Sequence, residues 1–138
     1  MHLVIQLSNM LPTLHLQANG VPVYVQIRDQ MLQAIGAGKL RPGEQMPTMR
    51  QVAVTLKVDL NTVRHAYADL EQTGAIVILR ARGTYVAERP PPIDVSRQTK
   101  RMESLAHQTI ATANAAGIDP LNVAKAMLRI LKGQRGKK

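Results

Sequence analysis

The feature that most constrains this chain is a change of period at Gly74. Before it, apolar residues recur at helical spacing. After it come two β-rich runs, Ala75–Arg80 and Thr84–Glu88, with only "ARG" (Ala81–Gly83) between them. A three-residue connection containing glycine joins antiparallel neighbours, so these runs predict a hairpin. "RPPP" (Arg89–Pro92) continues neither strand nor helix and marks a boundary.

Three helical segments precede the change. The first begins near Pro22, a favourable first-turn residue, and carries Val23, Ile27, Met31, Ala34 and Ile35 at helical spacing. Gly36 and Gly38 are expected to stop it, and "KLRPGEQMP" (Lys39–Pro47) follows as a turn-rich loop. The second opens at Thr48, with Gln51 three residues later in a capping-box pattern. It ends near Leu56, with Val52, Ala53 and Leu56 facing inward. After a tight turn at Lys57–Val58, Asp59 caps a third helix from Leu60 to about Thr73, closed by Gly74 as its C′ residue. Its apolar stripe is Val63, Ala66, Tyr67 and Leu70. Asn61, Thr62 and Arg64 lie off that stripe, bunched at the N-terminal end.

Residues 1–20 read as an extended arm with weak strand character at Leu3–Leu7 and Leu14–Gln17; Met10 offers a second start. No Lys or Arg precedes Arg28 and Pro12 interrupts the apolar run, which argues against a secretory signal. No segment approaches the roughly 18 uninterrupted apolar residues of a membrane span, so the reading is a cytoplasmic protein. Beyond Pro92 two further helices are expected. One runs from about Ser96 to Ala116, with Met102, Leu105, Ala106, Thr109, Ile110 and Ala113 on one side. The other has Asp119 as cap and Pro120 at its first position, and runs to Lys132 before Gly133. The tail "GQRGKK" is expected to be disordered. The domain reading is thus an arm at 1–20, a folded domain at 21–89, a helical segment at 93–132 and a basic tail at 133–138.

Three helices followed by a hairpin is the winged helix-turn-helix arrangement, in a chain that is mainly α. The third helix fits a recognition helix entering the major groove by its N-terminal residues, where all four base pairs are distinguishable. The charge agrees. A net +9, from 18 Lys+Arg against 9 Asp+Glu, favours a polyanionic partner.

"PGEQMPTMRQVAVTLKVDLNTVRHAYADLEQTGAIVILRARGTYVAE" (Pro42–Glu88) resembles the DNA-binding domain of GntR-family bacterial transcription regulators. The matching pieces are "PGE", "MPTMR", "NTVR", "LEQTG" and the "RGTYV" wing, at characteristic spacing over most of residues 22–88. "GVPVYVQIRDQ" before them and a short two-helix tail after them are similar to the YtrA subgroup. The resemblance implies a dimeric repressor-type regulator, in that subgroup often of transporter operons. It makes Arg50 a DNA contact from the second helix, Thr62 and Arg64 recognition-helix contacts, and Arg82 and Gly83 the wing tip that reaches the minor groove. Leu60 stands where many members have arginine, Asp59 where many have serine or asparagine, and Ala81 in place of a wing glycine.

The residues themselves add to this set. Thr48 stands at the start of the second helix, and Lys57 offers a phosphate contact from the turn. Asn61 can read adenine and Arg64 guanine. His65 lies beside them as a solvent-facing or phosphate-adjacent residue, Arg80 assists Arg82, and Asp59 reads as a cap in preference to a base reader. Arginine at a wing suits a narrow A/T-rich minor groove, whereas Gly83 also suits any tight hairpin. Residues 90–138 hold nine basic and three acidic side chains, against nine and six in 24–89. Arg97, Lys100, Arg101 and the tail therefore offer either general phosphate attraction or a solvated face.

Met102, Leu105, Ile110, Leu121, Met127, Leu128, Ile130 and Leu131 are too many large apolar side chains for a two-helix hairpin to hide alone. At about 1.5–3 kcal/mol each for full burial, they favour pairing with a twofold-related copy. Such a homodimer would present two recognition helices to an inverted-repeat operator of double-stranded DNA.

Other classes fare worse. Zero cysteines exclude disulfides, thiolate-zinc sites and thiol catalysis. His2, His15, His65 and His107 are scattered, with no paired carboxylates, phosphate loop or metal-ligand spacing, so neither an enzyme nor a cofactor is expected. The alternative is a winged-helix protein-interaction module without DNA binding, against which the charge and Arg50, Thr62, Arg64 and Arg82 argue. A membrane-surface binder is disfavoured because the cations of the last helix do not face one strong amphipathic seam. The roughly 46 residues after Pro92 are too few to enclose a pocket of about 300 Å3 within one subunit. A small-molecule effector stays unassigned.

Overall fold

A computed structural model describes residues 14–135. The strand expected at Leu3–Leu7 and the end of the tail lie outside the described residues. The elements, in order, are α1 (Val23–Gly36), α2 (Met49–Leu56), α3 (Leu60–Gln72), β1 (Ile76–Leu79), β2 (Gly83–Val86), α4 (Val95–Ala115) and α5 (Pro120–Arg135). They fall into two compact units that divide between Ile93 and Asp94.

The first unit is built on α3. Val63, Ala66, Tyr67 and Leu70 all lie at zero exposure, packed with Ile27 and Met31 of α1 and Val52 of α2. Ile76 and Val86 close the same core from the hairpin, whose register pairs Ile76 with Val86 and Leu79 with Gly83. The mainly helical winged helix-turn-helix fold expected from the sequence is therefore present.

Local signals set the helix ends. The Thr48 hydroxyl accepts from the Gln51 N–H at 3.1 Å while Gln51 Oε1 accepts from the Thr48 N–H at 3.0 Å, a complete capping box. Asp59 Oδ1 accepts from the Asn61 N–H at 2.7 Å and starts α3. Between these helices Lys57 adopts a left-handed φ of 57°, and the Val58 N–H returns to the Ala53 carbonyl at 3.0 Å. One residue thus reverses the chain, at a steric cost of about 1–2 kcal/mol for a side chain other than glycine.

Several boundaries differ from the sequence reading. Gly36 is the last residue of α1 and no stop; the Ile93 side chain packs over it, and a Cβ there would have to displace that side chain. The conformational break falls at Gly38, φ +78°. The strands are four residues each, which leaves Ala75, Arg80, Ala87 and Glu88 outside and brings Gly83 inside. At the end of the chain α5 passes through Gly133 to Arg135, because one glycine inside a helix costs only about 1 kcal/mol.

The expected strand at Leu14–Gln17 is absent, and what replaces it is specific. Leu14 is buried in the core, and the next residues run along α1 bonded to two glutamines one turn apart. Gln26 Oε1 accepts from the Gln17 N–H at 2.9 Å, and its Nε2 donates to the carbonyls of Gln17 and Val21 at 2.9 and 2.8 Å. Gln30 Oε1 accepts from the His15 N–H at 2.7 Å and Nε2 donates to the His15 carbonyl at 2.8 Å. A primary amide carries both a donor and an acceptor, so each glutamine substitutes for a partner strand.

The loop before α2 also does more than turn. The Gly43 N–H donates to the Val86 carbonyl (2.9 Å), the Val86 N–H to the Glu44 carbonyl (2.8 Å) and the Met46 N–H to the Thr84 carbonyl (2.7 Å). With the bridge between Gln45 and Tyr85, the loop lines the second edge of β2.

In the second unit, Asp94 caps α4 by accepting from the Arg97 N–H at 3.1 Å, and Asp119 accepts from the Leu121 N–H at 2.9 Å as α5 begins. Gly117, φ +73°, makes the turn between them.

Candidate nucleic-acid interface

The start of α3 presents its polar groups because its apolar ones are spent on the core. Val63 and Ala66 point inward, which leaves Asn61 and Arg64 exposed and Thr62 half-buried. Arg64 Nη1 donates to Asn61 Oδ1 one turn earlier, so the two side chains hold each other. Arg50 is exposed in the first turn of α2, where the Thr48 capping box fixes its position. Thr48 itself is exposed; its oxygen accepts the cap bond with one lone pair, and its O–H remains to donate to a partner. Lys57 extends from the left-handed turn.

At the wing, the Arg82 N–H donates to the Leu79 carbonyl at 3.0 Å and the Tyr85 hydroxyl to the Arg82 carbonyl at 2.9 Å. These bonds fix a turn in which Ala81 takes φ 63° and Gly83 φ 107°. A Cβ on Gly83 would come within 3.1 Å of Gln45 Nε2, the movable end of a side chain, so it is the φ of 107° that calls for glycine. Arg80 and Arg82 stand exposed on either side of Ala81. Among the described residues no ion pair ties Arg50, Lys57, Arg64, Arg80 or Arg82 to an acid.

His65 sits differently from the others. Its ring stacks on Tyr24 of α1, with centroids 3.7 Å apart and planes 10° apart. Its Nε2 lies 3.9 Å from Asp69 Oδ1, and Asp69 Oδ2 accepts from Arg28 Nη1 at 3.0 Å. Burial opposes the Arg28 charge, but hydrogen bonds from the guanidinium to Asp69 and Asp29 outweigh it and hold the group protonated. Tyr24 and Arg28 lie in the "GVPVYVQIRDQ" stretch but take no role from the sequence; their i, i+4 spacing matches that of His65 and Asp69.

In the second unit the expected dimerisation residues, Met102, Leu105, Ile110, Leu121, Met127, Leu128 and Leu131, are 44% to 63% exposed. Val95 and Ile118, not singled out from the sequence, are open as well, at 69% and 51%. On α5, Lys125, Arg129 and Lys132 are exposed at i, i+4, i+7 spacing and share a face, with exposed Leu121 and Leu128 beside them. Among the described residues no cluster of His, Asp or Glu is placed to hold a metal ion, and no helix is long and apolar enough to cross a membrane.

A tight helix-turn-helix with an exposed polar helix start, flanked by a hairpin with arginines at its tip, defines a winged-helix DNA-binding transcription regulator. The model of the gntR family of bacterial regulatory proteins matches residues 23–86, and the transcriptional repressor YtrA of Bacillus subtilis is 34% identical over 101 residues, 73% of this chain and 78% of that protein. The chain belongs to the GntR family and is YtrA-like within it. A helix-turn-helix transcriptional regulator of Mycobacterium tuberculosis is 38% identical over 100 residues, 72% of this chain and 77% of that one. The crystal structure of a transcriptional regulator from Oenococcus oeni superposes with a TM-score of 0.54 at 26% identity, covering 86% of this chain and 98% of its own.

Proposed function

We propose that this protein is a cytoplasmic repressor that binds an inverted-repeat operator as a homodimer. The observation that carries the reading is the exposed set of cations at the helix-turn-helix and wing, Arg50, Lys57, Arg64, Arg80 and Arg82, which no ion pair engages among the described residues. Asn61 and Arg64 read base edges in the major groove, Thr62 assists, and Thr48, Arg50 and Lys57 hold phosphates. Arg82, with Arg80 behind it and Gly83 allowing close approach, enters the minor groove. The domain spans 21–89, preceded by the 1–20 arm. The helices of 93–132 make the dimer, since their open apolar side chains gain about 1.5–3 kcal/mol each on full burial. Repression follows from operator occupancy, as the name of the Bacillus relative suggests. The protein carries no catalytic role in this reading, and no effector is assigned.

The test is selection of duplex DNA from a random pool by the purified protein, followed by a salt titration on the winning sequence. Expected are inverted repeats with half-site centres about one helical turn apart, and a steep linear fall of log affinity with log salt. A protein-interaction module would enrich no sequence and give no such slope.

A further inference from the structure

Four side chains join α1 to the reading helix in two rungs. Tyr24 and Arg28 are one turn apart on α1; His65 and Asp69 are one turn apart on α3. The upper rung is the Tyr24–His65 ring stack at 3.7 Å and the lower is the Arg28–Asp69 ion pair at 3.0 Å. His65 Nε2, 3.9 Å from Asp69 Oδ1, connects them.

We propose that His65 is a positioning residue and not a DNA contact: by stacking on Tyr24 it sets the roll of α3 and so aims Asn61, Thr62 and Arg64. This rests on the DNA-reading role proposed for those three residues.

The core holds the start of α3 through small or partly exposed side chains. These are Leu60, half-buried against the core, and the fully buried Val63 and Ala66; the first large side chain that is fully buried is Tyr67, near the middle of the helix. The rim of a helix lies about 5–6 Å from its axis, so a roll of about 20° moves a side-chain tip by about 2 Å. A hydrogen bond does not survive such a shift. His65 directly follows Arg64, so a ring pinned there resists the roll next to the readers. The stack also occupies one face of the imidazole, which turns it toward α1. Among the described residues Asp69 and Arg28 are the charged groups in line with it, and both are engaged with each other.

The test measures operator affinity of the full chain carrying His65→Ala, His65→Phe, Tyr24→Ala, Tyr24→Phe, and His65→Ala with Tyr24→Ala. Each alanine change should weaken binding roughly three- to tenfold, the scale of an aromatic pair. The double change should be little worse than either single one. Both phenylalanine variants keep a ring and should bind like the parent, with an unchanged salt slope throughout. If His65→Phe falls as far as His65→Ala and the slope drops by about one, His65 touches phosphate and the proposal is overturned. Tyr24→Ala binding like the parent overturns it equally. A DNA-free measurement separates this from the operator reading: Tyr24→Ala should shift the backbone amide resonances of residues 61–64, and Tyr24→Phe should not. Unshifted amides in Tyr24→Ala overturn the positioning role whether or not an operator has been found.

Discussion

The Tyr67 hydroxyl donates a 2.6 Å hydrogen bond to the Pro47 carbonyl, which ties the middle of the recognition helix to the residue before the α2 cap. Both residues are fully buried. Tyr67→Phe leaves that carbonyl without a donor and should cost about 1–3 kcal/mol of stability, read as a lower melting temperature. Burial also pushes the Tyr67 phenol above its ordinary value of 10.0. A group raised in the folded state contributes stability that is complete below its unfolded value and lost as pH rises toward the folded one. The parent should therefore weaken above about pH 10, and Tyr67→Phe should weaken less steeply there. Parallel curves for the two proteins would discount the phenol.

Arg64 and Asn61 are joined before any DNA arrives. With Arg64 in place Asn61 Oδ1 keeps a second lone pair and Nδ2 both its hydrogens, so the pair can still offer adenine an acceptor and a donor. Arg64→Ala should weaken operator binding by about 1–3 kcal/mol and relax one position of the selected sequence if it reads a base. Equal loss on random DNA, with a shallower salt slope, would make it a phosphate contact.

For the wing, Arg82→Ala should reduce preference for A/T-rich flanks next to each half-site, measured by competition between A/T- and G/C-flanked duplexes. A uniform drop would reduce Arg82 to an electrostatic role.

Lys57 combines a strained backbone with a proposed phosphate contact, and these pull apart on substitution. Lys57→Gly should raise stability by about 0.5–1 kcal/mol, since glycine adopts φ 57° freely. The same change should lower the salt slope of DNA binding by about one. A stabler protein with an unaltered slope would remove Lys57 from the interface.

Leu105 and Leu128 are both more than half exposed on the second unit. In the full chain, Leu105→Glu with Leu128→Glu should give a monomer by light scattering. That monomer should bind a full operator no better than a half-site. A dimer that survives both charges would remove Leu105 and Leu128 from the dimer contact.

Legibility followed range. Capping signals act over three residues, so Thr48 with Gln51, Asp59 and Gly74 could be read directly, and with them the order of elements. The 3.6-residue stripe of α3 named its core members correctly for the same reason. The glutamine clamps on the arm were not legible: Gln26 and Gln30 look like solvated helix residues until the chain returns to within hydrogen-bond reach. Nor was the pairing of Gly43–Met46 with β2, because "KLRPGEQMP" carries turn residues and no alternation. The direction of the His65 ring was hidden in the same way, since its partner lies 41 positions earlier.

The lined edge of β2 has a counterpart across the hairpin. The Ile78 N–H, on the outer side of β1, donates to Glu71 Oε2 at 3.2 Å. Gly43–Met46 thus line the outer edge of β2, and a carboxylate engages the Ile78 donor on the outer edge of β1. A carboxylate at that edge would have to be stripped of its bond and buried before a second wing could add there. The loop and the carboxylate each raise the cost of edge-to-edge pairing by the hairpin.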